Sequence, residues 1–294
     1  MLEKFLQKNK IDFRRDFPLS VLTSMGVGGK AKWVIYPKTV AQLVKTIKFL
    51  TNDNKKFYLL GGGTNVIASD GGYSGAIVST TKVSKIKRLF STVLVTAGTP
   101  MPLLALNLQK WGLGGGEFAC CIPGTVGGAV VGNSGCFSHS IADVVKRVWV
   151  FDGTKVRVLS KEQCLFDYRT SIFQVEKWVV LAVQLKLNKN DSAKIKQTMQ
   201  SMKVQKARSQ PTMLKSAGCI FRNGLVPSAK LIDNAHLKGY GINKVAVSHV
   251  HAGFIVNQGG AKASDVLDVI SHVKNVVKEK YGVTLKEEVK ILDD

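Results

Sequence analysis

The chain has 294 residues, enough for two or three domains each with a core of its own. Hydrophobic residues make up 45% and charged residues 21%, which excludes a disordered chain, and no apolar run approaches the ~20 residues that span a bilayer. The net charge of +22 suits polyanionic ligands, but the basic residues are dispersed and the densest patch, Lys82 to Arg88, holds only four in seven, so no specific nucleic-acid partner is expected.

The first ten residues are charged throughout and lack an apolar signal core, which places the protein in the cytoplasm. Val40, Leu43, Val44, Ile47 and Leu50 form a helical stripe over residues 39–51, with Thr39 as N-cap. A strand at residues 57–60 follows, so the first 80 residues read as a small βαβ-like unit. Strands are expected at 93–97 and 178–187, and a short helix at 101–110. Residues 147–151 and 155–159 alternate as a hairpin around Asp152-Gly153. A polar helix at 191–208, stopped by Pro211, marks a domain boundary. Beyond it lie a helix at 229–235, a strand at 254–257 and an amphipathic helix through Val266, Val269, Ile270, Val273 and Val277, capped by Ser264 and ended by Gly282. A final strand over 283–292 puts Val283, Leu285, Val289 and Ile291 on one face. The mixed order of strands and helices gives an α+β fold.

Two glycine-rich stretches stand out: Gly61-Gly62-Gly63-Thr64-Asn65 directly after a strand, and Ile122-Pro123-Gly124-Thr125-Val126-Gly127-Gly128 shortly before Gly132-Asn133-Ser134-Gly135. Backbone without Cβ atoms can press its N–H groups against a bulky anion. Two such stretches imply a large phosphate-bearing cofactor, though the dinucleotide fingerprint that opens a helix is absent after Gly63. Cys120, Cys121, Cys136, Cys164 and Cys219 form no CxxC pair and are odd in number, as expected of small buried residues in a reducing compartment. The five histidines show no ligand spacing with them, so no metal is expected.

Eight segments in register resemble the UDP-N-acetylenolpyruvoylglucosamine reductase family, flavoenzymes of peptidoglycan precursor synthesis. They are Pro18-Leu19-Ser20, residues 23–29, residues 61–66, residues 122–129, Tyr168-Arg169-Thr170-Ser171-Ile172-Phe173, residues 216–223, residues 251–257 and Leu285-Lys286-Glu287-Glu288-Val289. The resemblance covers nearly the whole chain. It implies a two-part FAD-binding module of the vanillyl-alcohol-oxidase/PCMH type, residues 1–80 and 81–190, followed by a C-terminal α+β substrate domain, residues 191–294. It also implies that NADPH, through FAD, reduces the enolpyruvyl ether of a UDP-sugar to a lactyl ether. Such a reaction needs a cation for the developing enolate and a proton donor, while the cofactor carries the redox chemistry.

The resemblance assigns cofactor binding to Gly61, Gly62, Gly63, Thr64, Asn65, Pro123, Gly124, Thr125, Gly127, Gly128 and Asn133. It assigns substrate contacts to Tyr168, Ser171, Arg222, Asn223 and His251. Arg169 falls on the family's catalytic arginine, whose planar fork suits a carboxylate or enolate better than lysine does. Glu288 falls on the C-terminal catalytic glutamate, and strand alternation turns Glu287 to the other, apolar side. Cys219 stands where many members carry a proton-donating serine; a thiol, with a reference pKa near ~8.5, gives up its proton more readily than an alcohol.

The chain departs from the family elsewhere. Val250 precedes His251 where lysine is common, and Gly224 follows Asn223 where proline is usual. Between Phe173 and Leu187 there is no room for a tyrosine-bearing loop, so the chain resembles the shorter subtype. Two other readings stay open at this stage: another FAD-linked oxidoreductase of the same fold, and a basic nucleic-acid-binding protein that would need no flavin.

Overall fold

A computed structural model describes residues 1–294. Helices and sheets are mixed, as an α+β chain requires. The residues cluster into two compact units whose segments interleave. The first comprises Met1–Arg14, Trp33–Gly62 and Gly75–Val204, and the second Arg15–Lys32, Gly63–Ser74 and Gln205–Asp294. Compactness therefore does not follow the contiguous segments 1–80, 81–190 and 191–294. Long-range pairing recruits short N-terminal pieces to the C-terminal core: Met25, Val27 and Ile67 are buried among residues 217–289.

The first unit holds two apolar cores. One gathers Leu2, Leu6, Leu43, Ile47, Leu50 and Val78 with Phe151 and Leu181; the other includes Val93, Phe118, Val126, Val148, Val183 and Leu185. The helix Val40–Asn52 supplies its stripe to the former, and Thr39 Oγ1 accepts the N–H of Gln42 at 3.1 Å as the expected cap. The strand Phe57–Leu60 pairs in parallel with Tyr73–Ser79, and the link between them holds the short strand Val66–Ala68 and no helix, so this pair is not a βαβ crossover. A five-stranded sheet runs in the order Val156–Ser160, Val145–Phe151, Val179–Lys186, Thr92–Thr96, Ile86–Leu89. Its strand Val179–Lys186 feeds Val179 and Leu181 to one core and Val183 and Leu185 to the other, which ties the two into one unit. The hairpin of this sheet turns at Asp152, whose Oδ1 accepts the N–H groups of Thr154 and Lys155. Only residues 176–178 separate the helix Ile172–Val175 from Val179–Lys186, leaving no place for an inserted loop.

In the second unit the antiparallel sheet Lys215–Cys219, Phe254–Asn257, Val245–Val247, Gly241–Ile242 is packed against the helix Ala263–Tyr281. The helix ends as expected at Gly282, which is left-handed with φ +67°. Its start differs from the sequence expectation. The side chain of Asp70 accepts the N–H groups of Ala263 and Ser264 at 2.8 and 3.0 Å, so a residue 193 positions away caps the helix in place of Ser264. The expected strand over 283–292 is also cut down. Only Lys290–Leu292 is a strand, parallel to Val66–Ala68, while Leu285 and Val289 are buried and Val283 and Ile291 lie open. A single face does not persist because the segment changes partner, from residues 220–222 to residues 66–68. No helix is long and apolar enough to cross a membrane.

Candidate active site

Within the first unit, the two glycine stretches meet. A Cβ on Gly61 would lie 2.6 Å from Thr125 Oγ1, and one on Gly62 would lie 2.7 Å from the Cα of Gly124. Bare backbone is thus required for the loops to touch each other. This changes the reason for the glycines: at Gly61 and Gly62 the space is taken by protein. The same holds at Gly127, where a Cβ would come within 2.8 Å of the Ala97 Cβ. Gly128 differs, because a Cβ there would meet only Thr125 Oγ1, at 3.6 Å, and the residue is exposed.

The helix Val126–Val131 follows the second stretch, and its opening amides are already used. Val126 donates to the Thr99 carbonyl, Gly127 to the Ala97 carbonyl, and Gly128 to the capping Thr125 Oγ1. An anion therefore finds no offered N–H at residues 126–128. What the joined loops present is an exposed surface at Gly62, Pro123 and Gly128, with Gly124 partly covered. A bulky diphosphate cofactor can lie close against such a surface, so these residues fit FAD by shape.

The glycine triplet divides between the two units. Gly63, Thr64 and Asn65 belong to the second unit. Gly63 adopts φ +64°, and a Cβ on it would strike the Leu22 carbonyl at 2.0 Å; its own carbonyl accepts the N–H of Ser24. Asn65 staples the C-terminal segment. Its Nδ2 donates to the Glu288 carbonyl at 3.2 Å, and its carbonyl accepts the N–H of Lys290 at 3.0 Å.

Arg169 sits in a tight turn of the first unit in which Asp167 and Thr170 exchange backbone hydrogen bonds. Its backbone is left-handed, with φ +54°, and its Nη2 donates to the Gly135 carbonyl at 3.3 Å. The guanidinium carbon lies 5.4 Å from the centroid of the Tyr168 ring, which is half exposed. Ser171 is 2% exposed and its hydroxyl donates to the Val131 carbonyl at 2.7 Å, so it supports this turn from beneath. Asn133 is equally inward. Its Nδ2 donates to the Asp167 carbonyl at 2.9 Å and its Oδ1 accepts the N–H of Ala142 at 3.3 Å. Both ends of the carboxamide expected to meet a cofactor are bonded to protein. The missed residue is Gln174, whose Nε2 donates to the carbonyls of Arg169 and Val131 at 2.9 and 3.0 Å; no motif signalled it.

In the second unit, Cys219 ends the strand Lys215–Cys219 after an irregular register, with Gly218 at φ +79°. The C-terminal segment lies alongside: Glu288 donates its N–H to the Ile220 carbonyl at 2.8 Å, and the Arg222 N–H reaches the Lys286 carbonyl. Glu288 and Cys219 are thereby brought within one residue of each other across paired backbones, although 68 positions separate Ile220 from Glu288. Glu287 turns toward the helix of this unit. Its Oε1 lies 2.5 Å from Lys274 Nζ on the helix Ala263–Tyr281. Burial pushes that carboxyl up, but the Lys274 hydrogen bond and charge, with a bond from its own backbone, hold it below its ordinary range. Glu287 thus meets a cation and not the apolar side expected of it.

Asn223 is exposed, and its Oδ1 accepts both the N–H and the hydroxyl of Ser228, at 3.1 and 3.2 Å, opening the helix Ser228–Asn234. Arg222 is half buried. Half-buried His251 accepts the Gly253 N–H at Nδ1 and packs edge-on against Phe254; burial holds its imidazole below 6.5, against a raising bond to its own backbone. Of the other thiols, Cys120, Cys121 and Cys164 are buried and Cys136 half buried, and none is in a disulfide. Burial pushes both Cys120 and Cys164 up to about 12.

The comparisons with known proteins divide the chain in the same sense. An FAD binding domain model matches residues 31–158, and the model of the UDP-N-acetylenolpyruvoylglucosamine reductase C-terminal domain matches residues 210–292. The reductase of that name from Clostridium botulinum is 37% identical over 281 residues, covering 95% of this chain and 92% of its own. The one from Caldanaerobacter subterraneus is 34% identical over 296 residues, with 100% and 97% covered. The crystal structure of UDP-N-acetylenolpyruvylglucosamine reductase from Thermus caldophilus superposes with a TM-score of 0.81 at 30% identity, over 96% of this chain and 99% of its own. With the fold, both glycine stretches and the segments around Arg169, Cys219 and Glu288 in the family's order, the chain belongs to the UDP-N-acetylenolpyruvoylglucosamine reductase family.

Proposed function

We propose that this chain is a flavin-dependent reductase that converts UDP-N-acetylenolpyruvoylglucosamine to UDP-N-acetylmuramate in peptidoglycan precursor synthesis. The observation that carries the reading is family membership over the full length, together with the C-terminal segment whose Glu288 N–H bonds to Ile220, the residue after Cys219. FAD, reduced by NADPH, supplies the hydride when bound. Gly62, Pro123, Gly124 and Gly128 would lie against it, and Gly61, Thr125 and Gly127 would shape that surface.

The chain's own groups supply the rest. Arg169, a permanent cation held by its turn and by Gly135, would pair with the pyruvyl carboxylate and stabilise the charge that develops there. Cys219 would pass a proton from Sγ to the carbon next to that carboxylate, and Glu288 would orient that donor or restore its proton. Tyr168, Arg222 and His251 remain candidate substrate contacts, with His251 neutral near pH 7. In the proposed division of labour, residues 1–80 and 81–190 serve FAD and residues 191–294 serve the sugar nucleotide. The five free thiols support a cytoplasmic setting.

The test is an anaerobic half-reaction experiment. Purified protein should carry flavin absorbance, NADPH should bleach it, and the enolpyruvyl sugar nucleotide should restore it. A colourless protein that does not take up FAD sinks the reading, and so does a reduced flavin that this substrate leaves bleached.

A further inference from the structure

The turn that carries Arg169 is held from outside by two carboxamides, and both are anchored at the same place. Asn133 Nδ2 takes the carbonyl of Asp167, two residues before the arginine, at 2.9 Å; Gln174 Nε2 takes the carbonyl of Arg169 itself, at 2.9 Å. Gln174 Nε2 and Ser171 Oγ also share the Val131 carbonyl, at 3.0 and 2.7 Å. Val131 is the last residue of the helix Val126–Val131, and Asn133 follows two positions later in a left-handed conformation, φ +41°. The opposite end of that six-residue helix is the glycine stretch, capped by Thr125 and fixed by the amides of Val126 and Gly127. A helix this short spans about 9 Å and has no hinge within it.

A left-handed arginine in a two-residue turn is a strained choice for a non-glycine residue, and it persists only where its surroundings over-determine it. Here the determinants are the reciprocal bonds between Asp167 and Thr170, plus one carboxamide on each side. We infer that Asn133 and Gln174 are positioning residues that register the Arg169 guanidinium to the glycine surface through this helix. The inference rests on the proposed role of Arg169. Neither carboxamide touches the reacting atoms; each acts through the backbone of the turn. The cofactor assignment of Asn133 is thereby replaced by a role toward the arginine.

Gln174→Met keeps the length and removes both donated bonds. Asn133→Asp keeps the Oδ1 acceptor for Ala142 and the tolerance of positive φ, and sets an oxygen against the Asp167 carbonyl. Each holoenzyme variant, with wild type and Arg169→Lys beside it, is taken through flavin reduction by NADPH and reoxidation by the enolpyruvyl sugar nucleotide in stopped flow. Flavin content and melting temperature are recorded in parallel. The expected result is retained flavin, reduction within about threefold of wild type, and a limiting reoxidation rate lowered by about 10- to 100-fold, the range that misplacement of a remote origin produces. General loosening of the fold would instead shift both half-reactions together.

Wild-type reoxidation in both variants while Arg169→Lys is slow overturns the inference alone. Wild-type reoxidation in Arg169→Lys overturns the assigned role of the arginine and the inference with it. Loss of flavin from both variants also overturns it, assigning the two carboxamides to the flavin surface. Should Asn133→Asp fail to fold, the half-buried Gln174 decides the matter by the same readings.

Discussion

Adjacent glycines in the helix Val126–Val131 make opposite predictions when changed to alanine. At Gly127 the new Cβ would lie 2.8 Å from the Ala97 Cβ and 3.1 Å from the Ala97 carbonyl oxygen, which already accepts the Gly127 N–H. That is about 0.7 Å inside the roughly 3.5 Å at which carbon atoms pack, and both partners sit on fixed backbone. Overpacking of this kind costs about 1–3 kcal/mol, and the better helix propensity of alanine returns up to about 1 kcal/mol. The net loss of about 1–2 kcal/mol should lower the melting temperature of the apoprotein by roughly 2–8 °C. At Gly128 the new Cβ meets only Thr125 Oγ1 at 3.6 Å, an ordinary contact. Gly128→Ala should therefore raise apoprotein stability by about 0.5–1 kcal/mol, or roughly 1–4 °C. If the cofactor lies against this surface, the same change should weaken FAD binding by at least about tenfold, equal to about 1.4 kcal/mol. Thermal unfolding of deflavinated protein gives the first quantity and flavin-fluorescence titration the second. Wild-type FAD affinity in Gly128→Ala would refute the glycine surface as the cofactor's seat, and an unchanged melting temperature in Gly127→Ala would refute the packing argument.

Arg169→Lys should retain FAD and its reduction by NADPH but slow reoxidation by the sugar nucleotide by about 10²–10³, the usual cost of a lost charge-stabilising group; stopped-flow absorbance checks this. Cys219→Ser should remain substantially active and Cys219→Ala should not, because a hydroxyl can still donate a proton from this place and a methyl group cannot; equal single-turnover rates for Ala and wild type would leave Cys219 a packing residue. An alkylating reagent at neutral pH should label Cys219 and the half-buried Cys136, as mapped by mass spectrometry, and spare Cys120 and Cys164, whose thiols are held protonated by burial. Glu287→Gln should lower the melting temperature at pH 7, and the difference should vanish with acid. The Glu287 carboxyl is depressed below 4.5, so its pairing with Lys274 stabilises the fold above that pH and is lost as pH falls through the lower folded value. A difference that grows below pH 4 would contradict the pairing.

Local pattern sufficed wherever a residue's role depends on its neighbours along the chain. The stripe from Val40 to Leu50, the Thr39 cap, the Asp152-Gly153 hairpin and the left-handed Gly282 all follow from 3.6- or 2-residue periods and from the φ range of glycine. Motif order was equally local, and it located Arg169, Cys219 and Glu288 as candidates before any contact was known. What the sequence could not carry is every assignment that depends on a distant partner. Asp70 in place of Ser264 as the cap of Ala263–Tyr281, the division of the glycine triplet after Gly62, and the short strand Lys290–Leu292 on Val66–Ala68 each rest on pairing across roughly 190 or more residues, or on the interleaving of the two units. The glycines show the limit most plainly. Their number announced a close approach of bare backbone, but whether the neighbour is a ligand or another loop depends on which atom lies within ~3 Å of the absent Cβ. At Gly62 and Gly127 that atom is protein, and at Gly128 the direction is open, a distinction that only the meeting of residues 61–62 with 124–125, and of Gly127 with Ala97, could make.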